Sequence, residues 1–243
     1  MKQLRPFAVI DIDGTLIRWQ LYHAMADAMV KREIIDRRQY MRVLEARNNW
    51  KSRVNENSFT DYENSLISLI DKAIIGVDYQ LFKDVCREVI SRYQNQTYTF
   101  TRDLIKQLKA EDYIIFAISA SPAELVSLVT AHYMLDDFRA SDYEVVNGKL
   151  TGKSRILNGN AKASNLTELI QKHAAARYNS IAVGDSEGDI GMLKMVDRPI
   201  AFNPTKKLMA EARANQWEVV IERKNVVYQL EYSHGQYVLA PTD

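Results

Sequence analysis

The sequence predicts an α/β protein: a doubly wound parallel sheet with a Rossmann-like core, and an α-helical cap domain inserted after the first strand. Three observations carry that expectation. An apolar strand, Phe7-Ala8-Val9-Ile10, runs directly into Asp11-Ile12-Asp13-Gly14. From there to about Tyr93 the apolar spacing is helical, with no strand among the helices. From Thr101 onward helices alternate with short apolar strands, the pattern of a parallel sheet covered on both faces. The first strand belongs to that sheet, so residues 1–16 and 98–243 form the core and residues 17–97 the helical cap.

Each element follows from its residues. Leu21, Tyr22, Met25 and Met29 mark the first inserted helix, and Tyr40, Val43, Leu44 and Arg47 the second. Thr60 with Glu63 reads as a capping box before Leu66, Leu69 and Ile70. Asp78 caps a fourth helix that buries Phe82, Val85, Cys86, Val89 and Ile90, making Cys86 a core thiol. Tyr113 to Ile118 is a buried strand ending at Ser119, and Ser121-Pro122-Ala123-Glu124 reads as a helix start. Tyr143 to Gly152 reads as a hairpin around Asn147-Gly148. A helix follows from near Ala161 to Arg177, then the strand 180–183 ending at Gly184-Asp185. A helix near 190–196, the strand 200–202 and a helix near 204–215 continue the alternation. Strands from Trp217 and around Ser233-His234-Gly235-Gln236 close the chain, and the last hairpin suits a sheet edge or a subunit contact.

Composition narrows the function. The chain has 243 residues, 47% apolar and 26% charged, ordinary for a globular protein. A net charge of +1 gives no basic field for nucleic acid. No apolar run is long enough to span a bilayer. Met1 to Pro6 leads straight into the first strand, leaving no room for a signal peptide, so a cytoplasmic protein is expected. The single Cys86 rules out an intrachain disulfide or a multi-cysteine metal site.

Polar groups recur where parallel sheets bind ligands, at the carboxyl ends of strands. The first strand delivers Asp11 and Asp13, two positions apart and so on one face. A calcium loop starting at Asp11 fails, because its sixth and twelfth positions would be Leu16 and Tyr22. The second core strand offers Ser119, a later one Asp185, with Asp189 a helical turn on and Lys162 at a helix start. Taken singly, Ser119 reads as a loop serine, Lys162 as a surface lysine and Asp189 as the partner of an Ser186 cap. Their shared placement at strand ends and helix starts favours one site.

The chain resembles the haloacid dehalogenase superfamily in its phosphoserine-phosphatase-like branch. Asp11-Ile12-Asp13-Gly14-Thr15, Ser119, Lys162 and Gly184-Asp185-Ser186-Glu187-Gly188-Asp189 match its four motifs in order. The resemblance implies a phosphatase using Mg²⁺, held by the side chains of Asp11 and Asp185 and the backbone carbonyl of Asp13. It implies Asp11 as nucleophile and Asp13 as general acid/base. Lys162, the Ser119 hydroxyl and backbone N–H groups near Ile12, Asp13 and Ala120 would hold phosphate oxygens. Asp189 would orient Lys162 and the metal's waters from behind. The second acid, Asp13, points to phosphate esters rather than a dehalogenase.

Two alternatives stay open: a phosphotransferase using an alcohol acceptor, and a receiver-type phospho-acceptor module, which is far shorter. The expected partner is a small phosphorylated metabolite. In phosphoserine phosphatases an acid nine positions after the nucleophile meets the substrate's amino group; here that position is Gln20, which disfavours phosphoserine. Residues 18–53 carry nine Lys/Arg against four acids. Arg18 and Arg47, with Trp19 and Gln20, are the specificity candidates, favouring a substrate with a second anionic or aromatic part.

Overall fold

A computed structural model describes residues 4–55 and 57–240; Met1 to Gln3, part of the segment read as too short for a signal peptide, lie outside them. The chain begins with β1 (Pro6–Ile10). Four helices follow: α1 (Leu21–Lys31), α2 (Arg37–Lys51), α3 (Ser58–Ala73) and α4 (Tyr79–Tyr93). Then come α5 (Thr99–Ala110), β2 (Ile114–Pro122), α6 (Ala123–His132), β3 (Asp137–Val146), β4 (Lys149–Arg155) and α7 (Gly159–His173). The chain continues through β5 (Ala176–Gly184), a 3-10 turn (Glu187–Asp189), α8 (Ile190–Leu193), β6 (Arg198–Phe202), α9 (Lys206–Asn215), β7 (Glu218–Arg223), β8 (Val226–Ser233) and β9 (Gln236–Leu239).

The strands form one sheet in the order β4-β3-β2-β1-β5-β6-β7-β8-β9. The six from β3 to β7 pair in parallel, while β4, β8 and β9 add antiparallel margins. The predicted α/β architecture is therefore present. The chain leaves β1 for β2 on one side and returns to β5 on the other, so a crevice opens at the carboxyl end of β1.

Strand alternation builds two cores. Ala8, Ile10, Ile115, Ala117, Ile181 and Val183 face one side and join the inserted helices through Leu21, Met25, Leu66 and Phe82. Phe7, Val9, Phe116, Ile118 and Ala182 face the other and meet Leu166, Leu169 and Leu208 of α7 and α9. Burial on both faces explains why these strands read as continuous apolar runs.

Local signals held where the chemistry is short-range. Asp78 accepts from the N–H of Leu81, and Asn147 and Gly148 make the predicted turn with positive φ. Three expectations are corrected. Asn57 sits at the α3 cap position, so Thr60 lies inside the helix. Pro122 belongs to the end of β2, where it pairs with Ser141, and Ser121 caps nothing. α7 stops at His173 because Ala174 takes a left-handed conformation, freeing the next residues to start β5.

Candidate active site

β1 ends between β2 and β5, where Asp11 donates its N–H to Val183 O at 3.0 Å. Its buried carboxylate then points to Lys162, with Nζ 2.7 Å from Oδ1. Lys162 arrives on the first turn of α7, capped by the Asn158 side chain. That turn presses on the loop after β5: a Cβ on Gly159 would lie 2.5 Å from the Cα of Gly188. The close approach sets the ammonium against Asp189, 2.6 Å from Oδ1. The other oxygen of Asp189 accepts from the N–H groups of Asp185 and Ser186 and from the Ser186 hydroxyl, at 3.1, 3.0 and 3.1 Å. Ser186 and Asp189 thus form the reciprocal cap read from the sequence.

Asp13 has a different set of partners. Its Oδ1 accepts the Leu21 N–H at 2.6 Å, and its Oδ2 accepts the Ser119 hydroxyl at 2.7 Å. Ser119 in turn accepts the Ser121 N–H at 3.0 Å. Gly14, at φ +84°, makes the sharp turn after Asp13 and leaves the space that Asp185 and Gln20 occupy.

Charge is unbalanced here. Oxygens of Asp11, Asp185 and Asp189 all lie within 4.8 Å of one another, and the Lys162 ammonium pairs with Asp11 and Asp189. Burial pushes the Asp11 carboxyl up to about 7 against the pull of Lys162. Burial, then Asp11 and Asp189, raises Asp185 as well. Burial works against the Lys162 charge, but Asp11 and Asp189 outweigh it and hold its proton firmly. Burial also raises Asp13, partly offset by its bonds from Leu21 and Ser119. A cluster of carboxylates short of positive charge fits a divalent cation with oxygen ligands.

The remaining predicted residues lie at varied places. Ile12 is buried beneath the site, and Ala120 is exposed beside it. The Gln20 amide lies 3.4 Å from where a Gly14 Cβ would stand. Trp19, just before α1, lies under Arg47 of α2, guanidinium over indole at 5.3 Å, and Arg47 pairs with Asp27 at 3.4 Å. Arg18 is engaged elsewhere, on Glu222 at 2.7 Å and on Lys224 O at 2.9 Å. Sequence reasoning missed Leu21 N–H, which any residue type could supply, and Glu222. It also read Glu63 only as a cap; burial, then the charges of Asp13 and Glu187, raises its carboxyl.

The geometry defines a class. The chain matches the haloacid dehalogenase-like hydrolase family over residues 8–194 and belongs to it. Among named relatives, a phosphoserine phosphatase of Archaeoglobus fulgidus is 28% identical over 133 residues, 53% of this chain and 39% of that protein. A phosphoserine phosphatase of Streptococcus thermophilus is 22% identical over 83% of this chain and 86% of its own length. The chain thus spans well under two thirds of the archaeal relative. A solved phospho-aspartyl intermediate analogue of phosphoserine phosphatase superposes with a TM-score of 0.64 at 21% identity, covering 92% of this chain and 96% of that one. Both of these named relatives are phosphoserine phosphatases. Among the described residues no helix is long and apolar enough to cross a membrane.

Proposed function

We propose that the protein is a Mg²⁺-dependent phosphomonoester hydrolase that works through an aspartyl-phosphate on a small organic phosphate in the cytoplasm. Residues 17–97 act as its cap and residues 1–16 and 98–243 as its catalytic core. The observation that carries this reading is the division of labour between two neighbouring carboxylates. Asp11 lies against Lys162 and the metal-type cluster, whereas Asp13 lies against a serine hydroxyl and a helix N–H.

Asp11 attacks phosphorus, forming an acyl phosphate as the ester P–O bond breaks. Asp13, whose burial favours its protonated form, gives its proton to the leaving alkoxide. It then takes a proton from the water that attacks the acyl phosphate, releasing inorganic phosphate and the Asp11 carboxylate. Lys162 and the Ser119 hydroxyl hold phosphate oxygens, with the N–H groups near Ile12, Asp13 and Ala120. For this, Ser119 exchanges its bond to Asp13 for one to phosphate. Asp11, Asp185 and the Asp13 carbonyl would hold Mg²⁺, which when bound neutralises phosphoryl charge. Asp189 keeps Lys162 in place, since its own oxygens are taken by Lys162, Ser186 and Asp185.

Substrate choice falls to the cap. Gln20 offers an amide and no charge to an ammonium, which argues against phosphoserine. Arg18 is held by Glu222 at the entry to the cap, leaving Arg47 and Trp19 as the stronger candidates. The test is a steady-state screen of phosphorylated metabolites with Mg²⁺, run beside Asp11→Asn. Turnover of 4-nitrophenyl phosphate by pure, folded Asp11→Asn would refute the mechanism, and a screen led by phosphoserine would refute the reading of Gln20.

A further inference from the structure

Between Ile118 and Pro122 the parallel ladder of β2 and β3 is irregular. Pro122, which pairs with Ser141 of β3, has no N–H to give to that ladder. The stretch that leaves it is Ser119-Ala120-Ser121, which carries the hydroxyl on Asp13. A side chain stands in for the backbone here. Ser141, fully buried, donates its hydroxyl to the Ala120 carbonyl at 2.6 Å and accepts the Leu157 N–H at 2.9 Å.

The directions of these bonds fix one another. The Ala120 carbonyl and the Ser121 N–H belong to one planar trans peptide, so they point to opposite sides. Ser141 holds the carbonyl, and the N–H opposite donates to Ser119 Oγ at 3.0 Å. A serine hydroxyl has one proton and rotates to suit its partners. With a lone pair of Ser119 taken by the Ser121 N–H, its proton is left for Asp13 Oδ2, 2.7 Å away. The Leu157 N–H orients the Ser141 hydroxyl in the same way, leaving its proton for Ala120. One chain of bonds thus runs from Leu157 through Ser141, the Ala120–Ser121 peptide and Ser119 to Asp13. Hydrogen bonds in such a chain polarise one another.

We propose that Ser141 is a positioning residue for the phosphoryl chemistry: through the Ala120–Ser121 peptide it sets the direction of the Ser119 hydroxyl. This rests on the phosphatase reading and adds to it a residue outside all four motifs. Ser119 serves twice in that reading, on Asp13 before the substrate binds and on a phosphate oxygen afterwards. In both states its proton must face the crevice, so the peptide behind it must not turn. Ser141 touches no reacting atom. It also ties the end of β3 to the chain that follows β4, through Leu157, and the test separates that structural part from its action on Ser119.

The test is a double-mutant cycle between Ser141 and Ser119, in the full-length protein with Mg²⁺ and 4-nitrophenyl phosphate. Urea unfolding first checks that each variant is folded under the assay conditions. Beside an intact Ser119, Ser141→Ala should lower kcat/KM about tenfold or more, because small misplacements of a site donor are costly. Beside Ser119→Ala it should change kcat/KM by less than about threefold, since the hydroxyl it directs is gone. A purely structural serine would lose the same factor in both backgrounds. Ser141→Cys, similar in shape and a weaker donor, takes the same place in the cycle if Ser141→Ala does not fold. A loss under tenfold beside Ser119, or losses of similar size in the two backgrounds, would overturn the role of Ser141 and leave the phosphatase reading standing. No turnover of 4-nitrophenyl phosphate by the wild-type protein would overturn the phosphatase reading itself.

Discussion

Glu222, near the end of β7, accepts a bond from Arg18 Nη2 at 2.7 Å across 204 residues of sequence. The same carboxylate accepts the N–H groups of Thr99 and Phe100 at 3.0 and 2.8 Å. Arg18 lies where the chain enters the inserted helices, and Thr99 opens α5 just after it leaves them. One fully buried carboxylate therefore ties both passages to the sheet. Glu222→Gln keeps one acceptor oxygen but sets an NH₂ against a backbone N–H. It should cost about 1–3 kcal/mol in urea unfolding. It should also raise KM by loosening the helices over the site. Arg18→Met should cost less, since Thr99 and Phe100 still satisfy the carboxylate.

Gly184 tests whether Asp189 must stay in place. A Cβ there would lie 2.5 Å from Asp189 Cγ and 2.7 Å from its Oδ2. Gly184→Ala therefore pushes Asp189 off Lys162. The overpacking should cost about 1–3 kcal/mol. The misplaced ammonium should cost on the order of 100-fold in kcat/KM. Activity within a few-fold of wild type would show that Lys162 needs no such support.

What was legible in the sequence is what short-range chemistry dictates. Asp11 and Asp13 share a face because the strand period is two, and Asp189 pairs with Ser186 because a cap spans three residues. The approach of Asp11 and Asp189 to Lys162, at 2.7 and 2.6 Å, was legible only as shared placement at strand ends and helix starts. Glu222 was not legible, because its partners come from the opposite end of the chain and no periodicity marks them. The engagement of Arg18 was missed for the same reason. Ser121 and Pro122 carried a sound helix-start pattern, yet pairing of Pro122 with Ser141 outweighed local preference. His23 fell on no motif, and only folding puts it among three aromatic rings.

Metal binding should be linked to protons through Asp11. Its carboxyl, raised to about 7 by burial, is partly protonated near neutrality in the metal-free protein. Asp185 is raised in the same direction. Bound Mg²⁺ requires the ionised forms, so it expels protons, and its affinity should increase as pH rises from roughly 6 to 8. For one proton displaced the change approaches about tenfold per pH unit below the carboxyl's pKa. Calorimetry in buffers of different ionisation enthalpy measures the protons released directly. Affinity independent of pH, with no proton release, would contradict the placement of the metal on Asp11 and Asp185.

His23 makes the opposite prediction for stability. Burial, then the charges of Arg47 and Lys51, lowers its pKa to about 3 from an ordinary 6.5. The unfolded chain therefore binds a proton at mildly acid pH that the folded chain refuses. The stability His23 confers as a neutral ring is fully present above about pH 6.5 and is lost as pH falls towards 3. Its slope is at most about 1.4 kcal/mol per pH unit. Asp11 and Asp185 act with the contrary sign in the same window, since raised carboxyls favour the folded state as they protonate. The wild-type curve alone thus mixes the two. The difference between wild type and His23→Phe isolates the histidine, because both proteins carry the same carboxylates. His23→Phe should lose less stability than wild type between roughly pH 6 and 4, measured by urea unfolding at each pH. Parallel curves for the two proteins would mean that His23 is protonated in the folded state, and would remove it as a neutral member of that aromatic group.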